Sequence, residues 1–66
     1  MIRVFNYINI SNAKDIWADS GYHVQRNVIN YILRKRDDFH FYITVPKNQV
    51  TEAMKGFEDK ERVTPI

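Results

Sequence analysis

Along residues 2–10, IRVFNYINI, apolar side chains fall on both parities of an extended chain. Ile2, Val4, Ile8 and Ile10 share one parity, interrupted by Asn6, while Phe5 and Tyr7 occupy the other. The pattern predicts a β-strand. Apolar residues on both of its faces predict that it is buried on two sides, as in a parallel sheet covered by helices. Residues 11–20, SNAKDIWADS, are polar apart from Ile16 and Trp17 among the large side chains. This loop exceeds the usual βα connection of about 2–6 residues, and long loops of this kind tend to carry function. From residue 21 or 22 to about residue 36 the spacing becomes helical. Val24, Val28, Ile29, Tyr31, Ile32 and Leu33 form an apolar arc, and His23, Arg26, Asn27, Asn30 and Arg34 fall opposite. Asp19 and Ser20 stand where an N-cap is needed. Arg34, Lys35 and Arg36 bring positive charge to the negative end of the helix dipole.

Residues 39–45, FHFYITV, alternate again. Phe39, Phe41, Ile43 and Val45 lie on one face and His40, Tyr42 and Thr44 on the other. Aromatic and β-branched residues favour a strand, and Pro46 ends it. Asn48 is placed to cap a short second helix whose apolar positions are Val50, Ala53, Met54 and Phe57, with Gly56 weakening its last turn. ERVTPI opens a third extended segment. The order β-α-β-α-β implies right-handed crossovers and a small parallel sheet. The expected class is α/β, a single Rossmann-like half-domain over residues 1–66. Its sheet edges are unpaired, so it resembles the beginning of a doubly wound fold more than a whole one.

Length and composition narrow the function classes. A chain of 66 residues is short for a self-sufficient enzyme and marginal as an isolated domain. It has no cysteine, so neither a disulfide nor a thiolate metal site is expected, and a cytoplasmic location fits. A net charge of +2 is too small to argue for nucleic-acid binding. Arg26, Arg34, Lys35 and Arg36 form a modest basic patch near Tyr22 and Tyr31, but Asp37 and Asp38 offset it. The two histidines, His23 and His40, lack carboxylates at ligand spacing, so no metal is expected. Neither GxGxxG nor GxxxxGK[ST] occurs, and no cofactor is expected. There is no signal-peptide pattern and no apolar run of membrane-spanning length.

The candidate chemistry gathers around Gly21. In open parallel sheets ligands bind outside the carboxyl ends of the strands, where the loop at residues 11–20 should emerge. The backbone N–H groups of Gly21 and Tyr22 would begin the helix and face a phosphate or carboxylate. A glycine there lets a ligand approach the backbone. His23 and Asp19 would be polar contacts and Trp17 a stacking residue or lid; Asp19 also reads as the helix cap and Trp17 as a side chain folded over the core.

VFNYINI, the long loop, DSGYHVQRNVINYILRKR and FHFYITVP together resemble the opening of nucleotide-sugar-dependent glycosyltransferases of the two-domain GT-B fold. Gly21, Val24, Gln25, Ile32 and Leu33 fall on that family's loop-and-helix pattern, and residues 39–45 on its second strand. The likeness covers residues 1–46. It departs where His23 stands in place of a second glycine and where DDFHFYI lacks a glycine before the strand. It implies a chain that supplies the acceptor and phosphate side of an interdomain cleft, with the nucleotide-sugar held by a second domain, and that is not catalytically competent alone. The alternative is a small non-enzymatic protein-binding module, of the phage-effector or inhibitor kind, that works through exposed sheet edges and aromatics, with a protein partner or self-association.

Overall fold

The computed structural model describes residues 1–8, 10 and 15–66. Their order is β1 (Ile2–Tyr7), α1 (Ser20–Lys35), β2 (Phe39–Thr44), α2 (Val50–Lys55) and β3 (Val63–Pro65), with 3-10 turns at Ile16–Ala18, Lys47–Gln49 and Lys60–Arg62. The sheet order is β1-β2-β3 and both pairings are parallel. Ile2 lies opposite Phe39, Phe5 opposite Tyr42, and Tyr42 opposite Thr64. The expected α/β class with a small parallel sheet is what forms. The predicted first strand ends earlier, at Tyr7. Position 9 and positions 11–14 of the predicted loop lie outside the described residues.

Two crossovers of the same hand, in strand order 1-2-3, put both helices on one face of the sheet. The core lies between them and the sheet. Ile8, Phe41, Ile43, Val45 and Val63 from the strand side meet Ile16, Tyr22, Ile29, Leu33, Ala53 and Phe57. The expectation that β1 is buried on two sides is corrected here. Phe5 and Tyr7 are 68% and 72% exposed, because no described helix lies over their face.

The arc predicted for α1 is also corrected. Val24, Val28 and Tyr31 are exposed, whereas Asn30, expected on the polar side, is buried. The inward stripe runs through Tyr22, Ile29, Asn30 and Leu33. Asn30 is admitted because both ends of its amide are satisfied. Its Nδ2 donates to the Gly56 carbonyl at 2.9 Å, and its Oδ1 accepts from Glu58 N at 3.1 Å. It thereby ties the exit of α2 to the middle of α1. The Tyr22 hydroxyl makes a parallel link, donating to the Ala53 carbonyl at 2.6 Å.

The helix ends are satisfied by side chains. Asp19 is the N-cap of α1, and its Oδ1 accepts from Tyr22 N at 2.9 Å. At the other end Arg62 donates to the Leu33 and Arg36 carbonyls at 2.5 and 2.7 Å while Asp59 holds its guanidinium at 2.7 Å. Carbonyls of the last helical turn would otherwise lack donors. The second helix starts differently from the expectation. Asn48 sits inside the 3-10 turn that follows Pro46, and the cap position of α2 falls to Gln49 with no side-chain cap bond.

Candidate functional site

Two surfaces carry chemistry-bearing side chains. The first is the carboxyl rim of the sheet, where α1 and α2 both begin. The sequence-derived residues Trp17, Asp19, Gly21, Tyr22 and His23 all lie at this rim. Asp15 accepts from Trp17 N at 3.1 Å and so starts the 3-10 turn that carries the indole. Trp17 Nε1 then donates to Glu52 Oε2 at 3.1 Å, which bridges the two helix starts. Its ring meets Tyr22 edge-on at 5.5 Å, and the Arg26 guanidinium lies 5.7 Å from its centroid and 5.5 Å from that of Tyr22. The His23 ring Nε2–H donates to the Trp17 carbonyl; a carbonyl only accepts, so that nitrogen carries the proton.

Each of these side chains therefore has a partner within the fold. Asp19 is buried and engaged as the cap, and the Tyr22 amide already donates to it. Gly21 is exposed in the first turn of α1. Arg26, Glu52 and Lys55 complete the cluster without having been singled out as a group in the sequence. Lys55 Nζ donates to Glu52 Oε1 at 2.8 Å, and this bond, with the Trp17 bond second, holds the Glu52 carboxyl below its ordinary range. Burial raises the Tyr22 phenol above its ordinary value. Among the described residues no group of three potential metal ligands comes together.

The second surface is the uncovered face of the sheet. It presents Arg3, Phe5 and Tyr7 from β1, His40, Tyr42 and Thr44 from β2, and Thr64 from β3. Phe5 and Tyr42 are stacked at 4.9 Å with planes 17° apart, and His40 stacks on Tyr42 at 4.7 Å. His40 Nε2 and Thr64 Oγ1 share a hydrogen bond at 2.7 Å. An unbroken ladder thus crosses all three strands. Rings this close and this parallel overlap face to face and cannot lie side by side in one plane. They turn edges outward, and the faces between them are occupied. Among the described strand residues on this surface there is no carboxylate, and Arg3 is the one fixed charge.

A third concavity, of about 540 Å³, opens between α1 and the segment that leads to β3, lined by Asn30, Leu33, Arg34 and residues 58–61. Several of its charges are engaged: Arg34 bonds Glu58 through Nε and Nη2 at 2.9 and 3.1 Å, and Asp59 bonds Arg62 at 2.7 Å. It lies at the amino end of the strands, opposite the rim.

Comparison of the chain with protein-family models, with curated proteins and with solved structures finds no match. Among the described residues no helix is long and apolar enough to cross a membrane.

Proposed function

We propose that this chain is a protein-binding module whose contact surface is the uncovered sheet face, with the Phe5–Tyr42–His40–Thr64 ladder at its centre. The observation that carries this reading is that, among the described residues, no helix covers one face of an all-parallel sheet. Such sheets occur almost only with both faces covered. A partner that lays an apolar helix across the face supplies the missing layer. The stacked rings favour that occupant over a nucleic acid. Base stacking needs open π-faces, and here the inner faces are already filled.

The test is affinity capture with identification of retained proteins. Wild-type chain and a Thr51→Asp control on the exposed side of α2 should retain the same protein, and Tyr42→Asp should lose it. Equal retention by all three overturns the reading.

A second reading keeps the glycosyltransferase resemblance. It is supported by the parallel topology, which brings the start of α1 and the exposed Gly21 to the carboxyl rim. It is weakened by the Tyr22 amide, which donates to Asp19. In this reading the chain supplies the acceptor and phosphate side of a cleft, and a second domain holds the nucleotide-sugar. Calorimetric titration with UDP- and GDP-sugars distinguishes the two. Saturable heat that is lost in Gly21→Val supports transfer chemistry, and its absence leaves the binding module.

A further inference from the structure

The two edges of the sheet are built differently. On the β3 side the strand has three residues. Ile66 N donates inward to the Ile43 carbonyl, so Pro65 stands at the outward position, where it has no N–H to offer. The proline removes the outward donor at that position, which protects this edge. On the β1 side the strand has six residues and no proline. Ile2 N and Ile8 N donate to the Asp38 and Thr44 carbonyls of the β2 side, so the even positions face inward. Arg3, Phe5 and Tyr7 therefore point their N–H and C=O groups outward.

Beside this open edge α1 carries an apolar ridge. Val24, Val28 and Tyr31 are 61%, 51% and 58% exposed, at positions i, i+4 and i+7, which share one side of a helix. We propose that a second copy of this chain pairs antiparallel along β1, across a two-fold axis through Phe5. The result is a six-stranded sheet in which α1 packs on its symmetry mate.

Three features of the geometry select this occupant and this register. First, a two-fold axis normal to the sheet keeps the helices of both copies on one side and requires partners of equal parity. Centring on Phe5 sets Phe5 opposite its own mate and Arg3 opposite the partner subunit's Tyr7. All three outward-facing residues are then paired within β1; centring on Val4 sets Tyr7 opposite the partner subunit's Met1, outside the strand. Second, the level of the helix agrees. Asn6 Nδ2 donates to Gln25 Oε1 at 2.7 Å, which sets Gln25 level with Asn6. One residue back along β1 is about 3.3 Å. At 1.5 Å per residue, α1, running the other way, covers that distance in about two residues. Asn27 therefore stands level with the axis; the Val28 side chain leans back toward that level and meets its own mate, and Val24 meets the partner subunit's Tyr31. Third, the spacing agrees. Each α1 spans β1 and β2, so the two helices lie two strand spacings apart, about 9.6 Å. Packed helices sit about 8–10 Å apart. Charges are compatible too, since Arg3 faces an aromatic ring and no two cations come opposite. A non-self strand would fill the edge but would bring no helix to cover the ridge.

Sedimentation of the 66-residue chain over a concentration series should show a species of twice 7.9 kDa. Val28→Lys and Arg3→Pro should each reduce it to the monomer mass with unchanged circular dichroism. Val28→Lys is on an exposed helix position, so it reports even where the proline variant fails to fold. The chain lacks cysteine, so Val28→Cys is a unique thiol and should crosslink between copies through a short bismaleimide, whereas Thr51→Cys should not. A monomer at every concentration overturns the proposal. So does a dimer that survives Val28→Lys, or one lost in Tyr42→Lys instead, which would place association on the bare face. The partner-capture experiment reads Tyr42 and this one reads Val28, so failure of either proposal leaves the other standing.

Discussion

Ile43 and Tyr42 are neighbours on the same strand, yet they belong to opposite worlds. Ile43 is fully buried on the helix side, while Tyr42 faces away from the helices with Phe5 and His40 stacked against its ring. The covered face holds the chain folded. The bare face carries aromatic rings of comparable size, Phe5, Tyr7 and Tyr42, among polar residues and contributes far less to that end. A chain that leaves Phe5 and Tyr7 in water forgoes burial worth about 25 cal/mol per Å² of apolar surface. For so small a domain that is a large omission, and it makes sense where a partner completes the layer.

The sharpest way to break this contrast is a pair of truncations one residue apart. Ile43→Ala opens a cavity in the covered layer and should destabilise by about 2–5 kcal/mol. A chain of this length has a total stability of about 3–10 kcal/mol, so this variant stands close to unfolding. Tyr42→Ala removes stacking on the bare side and should cost about 1 kcal/mol. Urea denaturation of both variants checks the difference. Equal losses would mean that the bare face is a working part of the core.

Within the covered side, the polar ties should rank next. Asn30→Ala removes the donor to the Gly56 carbonyl and the acceptor for Glu58 N together. Partly buried backbone groups left unsatisfied make this cost roughly 2–3 kcal/mol. Asn30→Asp sharpens the point. It keeps the acceptor for Glu58 N but turns an oxygen toward the Gly56 carbonyl, so it should be destabilised as well, more so at neutral than at acid pH.

Tyr22→Phe loses one hydrogen bond, that to the Ala53 carbonyl, for about 1 kcal/mol. Its pH signature separates it from the rest. Burial raises the Tyr22 phenol in the folded chain, so the stabilisation is complete below about pH 10, where the unfolded phenol ionises, and declines as pH rises further. The gap between wild type and Tyr22→Phe in urea melts should therefore narrow above about pH 10. A gap that stays constant would mean that the phenol titrates alike in both states.

Much of the covered side was legible in the chain, and the bare side was not. Alternation found β1 and β2, helical spacing found α1, and Asp19 was recognisable as a cap because a carboxylate just before an apolar periodic run has few other uses. Four things escaped. Apolar residues on both parities of β1 imply two covering layers in the average parallel sheet, but they do not say whether the second layer belongs to the same chain. A wheel sorts by residue type and so sets Asn30 among solvent-facing residues, while its two backbone partners, 26 and 28 positions away, are invisible along the chain. The apolar arc of α1 read as one wide face, whereas the structure buries one edge of it and exposes Val24, Val28 and Tyr31. Around the rim, the loop and the helix start were visible, but the bond from Trp17 to Glu52 spans 35 positions and carries no local signal.

The smallest expected effect lies at that rim, and the single tryptophan makes it readable. Glu52 holds the Trp17 indole, and its carboxyl sits below the ordinary range because of Lys55 first and Trp17 second. A carboxyl lowered in the folded chain stabilises it above about pH 4.3, the value of a free glutamate, and this is lost as pH falls through the lower folded value. Trp17 emission should thus hold steady from neutral pH to about pH 5 and change only below about pH 4.3. Glu52→Gln keeps an acceptor for the indole but has nothing to titrate, so its emission should stay flat where the wild type shifts, with circular dichroism confirming that the chain is still folded. A shift of equal size in both proteins would show that acid loosens the covered layer as a whole. The rim would then owe its order to the core beneath it and not to the bridge between the two helix starts.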